Sequence, residues 1–324
     1  MVKVSIVIPI YNVEKYIEKC VRSLMEQTFE DIEYIFVNDA SLDNSISILE
    51  RVISEYPDRK SSCIIINHLC NRGLTAARNT GLFAAKGEYI LHFDSDDWAE
   101  KTMISDMYKV AVKNDSDIVS CNFRIIYDDR MVDYSTVDFT EDRVDSIRKY
   151  ISLDWNVIWN LLVKRSIYIE NNIQSLENYS FCEDFNLSVK LMLNAKKIVR
   201  LNKVLYNYNK MNLMSITRNL NEKSIIDERV MYMDLINYLK EKEVYKYYEK
   251  QIGWRILRNK QEWVLDKDTY DKFISLHPEC HKYIWSCPLI NFKLKVMMWT
   301  LTHHLSFISR FMLFLRFLRH GKKI

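Results

Sequence analysis

The sequence predicts an α/β protein with a mixed, mostly parallel sheet, helices on both faces of that sheet, and a mainly helical C-terminal region. Three observations predict this class. Short apolar runs alternate with stretches of helical period over residues 1–125. Polar clusters follow these runs, where the carboxyl ends of parallel strands would meet. From residue 144 onward the apolar pattern is mainly helical.

Five apolar runs are short and nearly continuous, which predicts buried strands. They cover residues 4–8, 32–37, 63–66, 89–93 and 118–123. Between them a helical period predicts helices at residues 14–27, 44–56, 75–85 and 103–113. Residues 127–142 are polar and patternless, which favours a loop or an excursion strand pair, and residues 222–285 carry long helical stretches.

The composition is that of a globular protein, with 48% hydrophobic and 27% charged residues in a chain of 324. Five glycines and four prolines are too few for long flexible linkers. Seven scattered cysteines without a CxxC pair indicate reduced thiols in a cytosolic protein, not a disulfide framework or a zinc site. We find neither a secretory signal nor a run of 18 uncharged apolar residues, so we expect no membrane-spanning helix.

The net charge of +3 is unevenly distributed. Residues 288–324 contain seven basic residues and no acidic one, whereas the rest of the chain has 39 basic against 43 acidic residues. If the tail is drawn as one continuous helix that begins at Pro288, its polar residues, Ser309 among them, share a narrow face. Such a basic amphipathic helix is typical of attachment to an anionic membrane surface. A helix that closes over the rest of the protein, or a dimer contact, is the alternative.

Three carboxylates stand within four residues after the fourth predicted strand, at Asp94, Asp96 and Asp97. Carboxylates this close repel one another and favour a bound cation. Mg²⁺ and Mn²⁺ prefer oxygen ligands, and Mg²⁺ leaves most of its coordination sphere to water and phosphate. The cluster therefore predicts a divalent metal that holds a diphosphate at a strand end. An acidic turn that caps the next helix is the alternative.

The ends of the first two strands carry candidate nucleotide-binding residues. No glycine precedes Gly73, so the chain lacks the glycine-rich turn of dinucleotide-binding proteins and of sugar-1-phosphate nucleotidyltransferases. Tyr11 offers a planar ring for stacking on a base, with packing as the alternative. Asp39 is positioned to accept a hydrogen bond from uracil N3–H or a similar donor, with helix capping as the alternative.

Two later helix starts carry charged residues. Arg78 lies in the first turns of the helix that follows Gly73 and faces the acidic cluster. It pairs either with a phosphate or, as a structural bridge, with an aspartate. Glu183 and Asp184 open a further helix, whose N-terminus favours their ionised forms. An acidic first turn that satisfies the helix dipole is the alternative there.

Four motifs in fixed order resemble glycosyltransferase family 2, whose inverting members have the Rossmann-like GT-A fold. They are VSIVIPIYN, VNDASLDNS, NRGLTAARNTGL and GEYILHFDSDDW, and they span residues 4–98. A further segment, WNVIWNLLVKR, is similar to one found in members that build capsule, lipopolysaccharide or exopolysaccharide. Processive synthases of the family add spanning helices and a Q-x-x-R-W motif. This chain has neither, so the resemblance implies one sugar per encounter.

The resemblance implies roles for residues of this sequence. It implies a nucleotide site lined by Pro9, Tyr11, Asn12, Asp39, Arg78, Asp94 and Ser95. Asp94 would lie toward the ribose, Arg78 would face the diphosphate, and Asp96 would hold the metal, Mn²⁺ or Mg²⁺. Asp184 would be the catalytic base, with Glu183 in support.

Three more positions follow from the resemblance. Trp98 and Trp159 are candidates for a sugar or acceptor wall, with buried packing as the alternative for Trp159. The sequence from Tyr206 to Tyr208 and from Ser215 to Thr217 matches a family pattern in which many members have a basic residue or His just before the serine. Here no His occurs there, and Lys210 is the candidate diphosphate contact.

The resemblance implies a metal-dependent, inverting transferase that moves one sugar from a nucleotide sugar to a hydroxyl of a glycan or lipid-linked acceptor in bacterial surface polysaccharide synthesis, and it favours a UDP-sugar as the donor. A non-catalytic nucleotide-sugar-binding or membrane-scaffold protein is the alternative. We predict a catalytic domain at 1–218, with a nucleotide-sugar half near 1–125 and an acceptor half near 126–218. A helical region at 219–287 and the tail at 288–324 follow. We expect a cytoplasmic protein, peripheral on the inner face of the cytoplasmic membrane, without a nucleic-acid partner.

Overall fold

The computed structural model describes residues 2–212 and 222–320, with residues 316–320 described by their backbone alone. The chain divides into two compact units. The first comprises Met1–Ile147 and Asn156–Met231, and the second comprises Arg148–Trp155 and Tyr232–Ile324. The predicted boundary at residue 218 lies outside the described residues, and the predicted domain limits stay predictions.

One sheet forms the centre of the first unit. Its strands in the described residues are β1 (Val4–Ile10), β2 (Ile32–Asn38), β3 (Cys63–Asn67), β4 (Tyr89–His92), β5 (Trp98–Ala99), β6 (Ile118–Ile126), β7 (Met131–Tyr134), β8 (Leu161–Lys164) and β9 (Ile198–Asn209). The strand order is β3-β2-β1-β4-β8-β6-β9-β5, with β7 beside β6. The longest pairings, β1 with β2 and β6 with β9, are parallel, whereas β8 lies antiparallel between β4 and β6. The predicted mixed, mostly parallel sheet is confirmed.

The helices described are α1 (Ile17–Met25), α2 (Ser45–Ser54), α3 (Pro57–Lys60), α4 (Leu74–Ala84), α5 (Met103–Asn114), α6 (Arg143–Ile151), α7 (Arg165–Glu170), α8 (Glu183–Asn194), α9 (Glu222–Glu241), α10 (Tyr245–Lys260), α11 (Tyr270–Ser275), α12 (Phe292–Thr302) and α13 (Ser306–His320). Short 3₁₀ helices cover Gln261–Val264, Lys267–Thr269 and Pro278–Tyr283. The helical C-terminal region is thus confirmed.

The core lies around β1 and β4, which are buried along their whole lengths. Continuous burial is expected of parallel strands that are covered on both faces. Helix α4 lies so close to β1 that a Cβ at Gly81 would come within 2.3 Å of Val7 Cγ1. Because any larger residue there would force Val7 or the helix to shift, Gly81 sets the distance from α4 to the sheet. This contact fixes the position of the polar residues that α4 carries.

Buried cations hold the second unit together. Arg255 donates a hydrogen bond to the carbonyl of Leu153 at 2.8 Å. The ammonium group of Lys260, 1% exposed, bonds to the carbonyl of Leu276 and lies 3.0 Å from His281 Nε2. Burial, and then the charge of Lys260, lower the pKa of His281 to about 4. This ring therefore stays neutral and accepts from the ammonium group.

Two strands that the sequence pattern does not reveal lie within the mainly helical stretch beyond residue 144, at residues 161–164 and 198–209. β8 has only four residues, too few for a periodic signal. β9 includes Arg200, Asn202 and Lys203, which interrupt the apolar pattern of a buried strand. Pairing with β6, far away in sequence, forms this strand. The predicted excursion is confirmed, because β7 pairs antiparallel with β6.

The tail is not one helix. α12 begins at Phe292, and the side chain of its N-cap Asn291 accepts a hydrogen bond from a backbone N–H of the first turn, so Pro288 is not a first-turn residue. The helix is interrupted between α12 and α13, where His304 has a φ of +60°. The break changes the helical phase, and Ser309, which one continuous wheel puts on the polar face, is 0% exposed. No helix in the described residues has the length and apolar character needed to cross a bilayer.

Candidate active site

The loop after β4 is anchored by its third carboxylate. Asp97 is 1% exposed, and its two oxygens accept hydrogen bonds from the Tyr206 hydroxyl and the Asn209 N–H, both at 2.6 Å. Burial, and then the neighbouring carboxylates, raise the pKa of Asp97 well above its usual range. Both partners come from β9, which β6 positions. Asp97 therefore fixes the loop that presents Asp94 and Asp96.

Asp96 has little compensation for its charge. It accepts one side-chain hydrogen bond, from Asn212 Nδ2 at 2.8 Å, and no basic side chain in the described residues pairs with it. Burial, followed by repulsion from Asp94, raises its pKa to about 6. An underpaired carboxylate of this kind fits a divalent cation, which would restore its usual ionisation. No group of three or more His, Cys, Asp or Glu side chains forms a metal cluster in the described residues. Mg²⁺ needs only one or two protein carboxylates beside phosphate and water.

Arg78 joins the acidic loop to the start of α8. Its guanidinium, 1% exposed, donates to Asp94 Oδ1 at 2.9 Å through Nη2, and through Nη1 to Asp184 Oδ1 at 2.8 Å and Glu183 Oε1 at 3.1 Å. The structure therefore brings together four predicted site residues that are far apart in the chain. It pairs Arg78 with carboxylates, which is the structural-bridge alternative from the sequence. A role facing the diphosphate stays a prediction.

The segment before α8 is held by the residue next to Arg78. Asn79 exchanges two hydrogen bonds of 2.9 Å with the backbone of Ser175. Cys182, with a φ of +63°, then turns the chain directly into α8. These two features put Glu183 and Asp184 opposite Arg78. Burial raises the pKa of both carboxyl groups, and their mutual repulsion adds to the shift at Glu183.

The residues predicted to bind the nucleobase are held mainly by backbone hydrogen bonds and include one exposed ring. Asp39 is 3% exposed and accepts hydrogen bonds from the backbone N–H groups of Arg72 and Gly73, both at 2.8 Å. The ring of Tyr11 is 43% exposed and therefore accessible for stacking. Asn12, with a φ of +52°, ties this loop to the loop after β2, because its Oδ1 accepts from the N–H of residue 42 at 2.9 Å.

The remaining predicted residues differ in exposure. Pro9 and Ser95 are buried. Trp98 is partly exposed, with the ammonium group of Lys19 at 3.0 Å from a ring centroid. Trp159 is 2% exposed and stacks on Tyr206 with centroids 4.1 Å apart, which favours the packing alternative.

Two further predictions concern the chain after β9. The ammonium group of Lys210 lies 5.6 Å from the Tyr208 ring centroid, and its proposed diphosphate contact stays a prediction. The motif residues Ser215 to Thr217 lie outside the described residues.

Two residues around the site, Asn212 and His68, were missed from the sequence. Asn212 orients Asp96, and His68 contacts Asp39 through Nδ1 at 2.7 Å. A lone His or Asn has no pattern that distinguishes it from other polar residues. The available signal for His68 was its place directly after β3, at the sheet edge where Asp39 follows β2.

The model of the glycosyl transferase family 2 matches residues 5–171, more than half of the chain. The chain belongs to this family. Among the curated relatives of this family 2 protein, the uncharacterized glycosyltransferase EpsJ of Bacillus subtilis is 34% identical over 216 residues, which are 63% of this chain and 60% of EpsJ. The match covers 40% of the length of a second curated relative and 61% of a third, so this chain spans only part of the length of these relatives.

Solved structures of low sequence identity share the fold. TarS 1-349 of S. aureus, crystallised in complex with UDP-GlcNAc, superposes with a TM-score of 0.67 at 20% identity over 99% of this chain and 92% of TarS 1-349. The mannosyltransferase PcManGT of Pyrobaculum calidifontis, in complex with GDP-Man and Mn²⁺, gives a TM-score of 0.55 at 15% identity over 96% of this chain and 83% of PcManGT. The predicted family and its GT-A fold are thereby confirmed.

Proposed function

We propose that this family 2 chain is a metal-dependent, inverting glycosyltransferase that moves one sugar from a nucleotide sugar to an acceptor hydroxyl. The observation that carries the proposal is the buried guanidinium of Arg78, which bonds both to Asp94 and to Asp184. One cation thus holds a carboxylate of the donor loop beside a carboxylate suited to take a proton. A protein that only bound nucleotide sugars would have no use for the second carboxylate.

Asp184 is the proposed general base. Its side chain is 19% exposed, so an acceptor hydroxyl can reach it, and burial raises its pKa toward the range of a base that works near neutral pH. Asp184 takes the hydroxyl proton while the acceptor oxygen bonds to the anomeric carbon. The bond from that carbon to the diphosphate oxygen breaks, and its electron pair leaves with the nucleoside diphosphate. Because attack comes from the opposite face, one displacement inverts the configuration.

Asp96 is the proposed ligand for Mn²⁺ or Mg²⁺, and Asp94 is proposed to lie toward the ribose. Asp96 fits this role because it is half-buried, underpaired, and oriented by Asn212. A divalent cation there would supply charge neutralisation for the departing diphosphate. The hydrogen bonds from Tyr206 and Asn209 to Asp97 keep the loop in place before any ligand arrives.

The donor is proposed to be a UDP-sugar. An ionised Asp39 can only accept hydrogen bonds, so it selects a base with an N–H donor, which uracil has at N3. The exposed ring of Tyr11 is proposed to stack on that base, and Trp98 to line the sugar or acceptor side. The UDP-GlcNAc complex of TarS, which has the same fold, supports this choice of donor.

The acceptor is proposed to be a glycan carried by a lipid, used in bacterial surface polysaccharide synthesis at the inner face of the cytoplasmic membrane. Helix α13 supports attachment there. Its exposed apolar residues recur at helical spacing on one face: Phe307, Phe311, Phe314 and Leu315 are 48–66% exposed. Arg310 is exposed on the same helix, and four more basic residues follow in the sequence. Exposed aromatic residues beside cations suit the interface of an anionic bilayer.

UDP release in the presence of Mn²⁺ and a panel of UDP-sugars tests the chemistry. We expect Asp184→Asn to lose about 10²–10⁴-fold in turnover, the usual contribution of a positioned base, while UDP affinity changes little. Asp138→Asn is the matched control, because Asp138 is 80% exposed and pairs with Arg200. Turnover of Asp184→Asn at the wild-type rate would remove the assignment. UDP binding without release from any donor would favour the non-catalytic alternative.

Sedimentation with vesicles tests the attachment. We expect binding to vesicles that contain phosphatidylglycerol, weaker binding in high salt, and little binding to phosphatidylcholine alone. Replacement of the three exposed α13 phenylalanines by serine should abolish it. Phe83→Ser, which changes a phenylalanine 65% exposed on α4, should not. Equal sedimentation of both variants would contradict the proposal, and a loss of dimers in the triple variant would assign this face to self-association.

A further inference from the structure

The carboxylate of Asp39 is held by a side chain as well as by backbone groups. His68 Nδ1 lies 2.7 Å from Asp39 Oδ1, and the two side chains are 5% and 4% exposed. An ionised carboxylate can only accept, so Nδ1 must carry the hydrogen. Hydrogen bonds to charged groups are stronger than those between neutral groups. His68 therefore contributes directly to where this carboxylate points.

The other nitrogen of the ring is anchored too. His68 Nε2 lies 2.9 Å from the hydroxyl oxygen of Thr80, a residue on α4. In the tautomer that carries its hydrogen on Nδ1, Nε2 accepts from the Thr80 hydroxyl. Thr80, His68 and Asp39 thus form a directed chain of hydrogen bonds from α4 to the end of β2. The second bond fixes both the tautomer and the rotation of the ring.

We propose that His68 is a positioning residue for nucleobase recognition. It orients the Asp39 carboxylate, so that a remaining lone pair meets the N–H of the donor base. Uracil presents N3–H there, whereas cytosine presents an N3 lone pair that the carboxylate repels. His68 therefore sharpens the preference for uridine over cytidine nucleotides. This inference rests on the proposed function and deepens it.

Backbone bonds alone offer a competing account. The N–H groups of Arg72 and Gly73 also bind Asp39, and Gly73, with a φ of +89°, shapes the turn into α4. If these two groups sufficed, His68 would only stabilise the fold. Its replacement would then lower the melting temperature and leave the ratio of UDP to CDP affinities unchanged. The ratio separates a positioning role from a structural one.

Two substitutions separate the ring nitrogens. In His68→Asn the amide nitrogen occupies nearly the place of Nδ1, whereas in His68→Gln it lies nearer the place of Nε2. We expect His68→Gln to lose about tenfold in UDP affinity, or about 1.4 kcal/mol, with little change for CDP. His68→Asn should stay within about threefold of the wild type, and Thr80→Val should lose about threefold, as for a weaker neutral bond.

Calorimetric titration of the full chain with UDP and CDP, in the presence of Mn²⁺, measures these ratios, and His303→Gln serves as the control on an exposed histidine. A UDP-to-CDP ratio in His68→Gln equal to that of the wild type would overturn the inference and leave the proposed function standing. If the wild-type chain bound neither nucleotide, the proposed function would fail and the inference with it. Should His68→Gln not fold, an unchanged ratio in Thr80→Val overturns the inference.

Discussion

Removal of the Arg78 guanidinium should destabilise the first unit more than any surface change. The side chain is 1% exposed and compensates Asp94, Glu183 and Asp184 at distances of 2.8–3.1 Å. In Arg78→Met these carboxyl groups would face one another without a cation. Breaking a buried ion pair by removing one partner costs about 3–5 kcal/mol.

The expected change in melting temperature follows from the size of the unit. For 150–250 residues, 1 kcal/mol corresponds to roughly 2–4 °C, so Arg78→Met should melt roughly 6–20 °C below the wild type. Circular dichroism or differential scanning fluorimetry measures this. Without Arg78, the pKa values of Glu183 and Asp184, which burial already raises and Arg78 lowers, rise further above their values in the unfolded chain. The stability of the variant is then greatest at low pH and falls as the pH rises through the raised pKa values. The difference from the wild type should therefore be larger at pH 8 than at pH 5.5.

Two further variants make the Arg78 experiment decisive. Arg78→Lys keeps the charge but loses the planar guanidinium that contacts three carboxylates. Its melting temperature should therefore lie between those of Arg78→Met and the wild type. In the double variant of Arg78→Met and Asp184→Asn, removal of one repelling charge should restore part of the stability, with a coupling of about 0.5–3 kcal/mol. A melting temperature of Arg78→Met within about 2 °C of the wild type at both pH values would refute the reasoning. So would strictly additive effects in the double variant.

Three other predictions concern single residues. Asp96→Asn should abolish the Mn²⁺-dependent rise in melting temperature produced by UDP; an undiminished rise in fluorimetry would place the metal elsewhere. Burial and Arg78 lower the pKa of His92 to about 3, so the stability of the wild type should fall as the pH drops from about 6.5 toward 3. The fall should be steeper than in His92→Phe by about 1.4 kcal/mol per pH unit. Urea unfolding measures this, and the same pH dependence in both proteins would contradict it. Gly81→Ala should cost about 1–3 kcal/mol by overpacking against Val7, and an unchanged urea midpoint would show that β1 yields easily.

The sequence was sufficient wherever local patterns decide the structure. The predicted ends of strands β1 to β4 lie within two residues of those observed. β1, β2 and β4 are buried as predicted, whereas β3 lies at the end of the strand order and is only half-buried, so the prediction of a buried strand is wrong there. β9 could not be predicted in this way, because Arg200 and Lys203 conceal a strand that exists through pairing with β6. The prediction of a single helix for the tail is wrong for a related reason. No sequence signal near His304 indicates that the helix ends there and that the next one begins with a different phase.

At the site, too, the sequence does not reveal contacts between residues that are distant in the chain. Each acidic residue was a candidate from its position after a strand or at a helix start. Their partners were not predictable, because Arg78 and Asp184 are 106 residues apart and meet only in the folded chain. His68 and Asn79 act through geometry that depends on segments distant in sequence. The sequence alone therefore predicts which residues carry charge but not which neighbours orient them.

Helix α4 explains why these contacts occur together. The N–H of its N-cap residue Gly73 bonds to Asp39, Arg78 binds carboxylates of the loop after β4 and of the first turn of α8, and Thr80 anchors His68. All of them depend on one backbone, which Gly81 holds against β1. A small shift of this helix would therefore disturb the proposed nucleobase contact and the proposed catalytic base at once. On this view Gly81→Ala should weaken UDP binding as well as stability, whereas a substitution that acts on stability alone would leave UDP affinity intact.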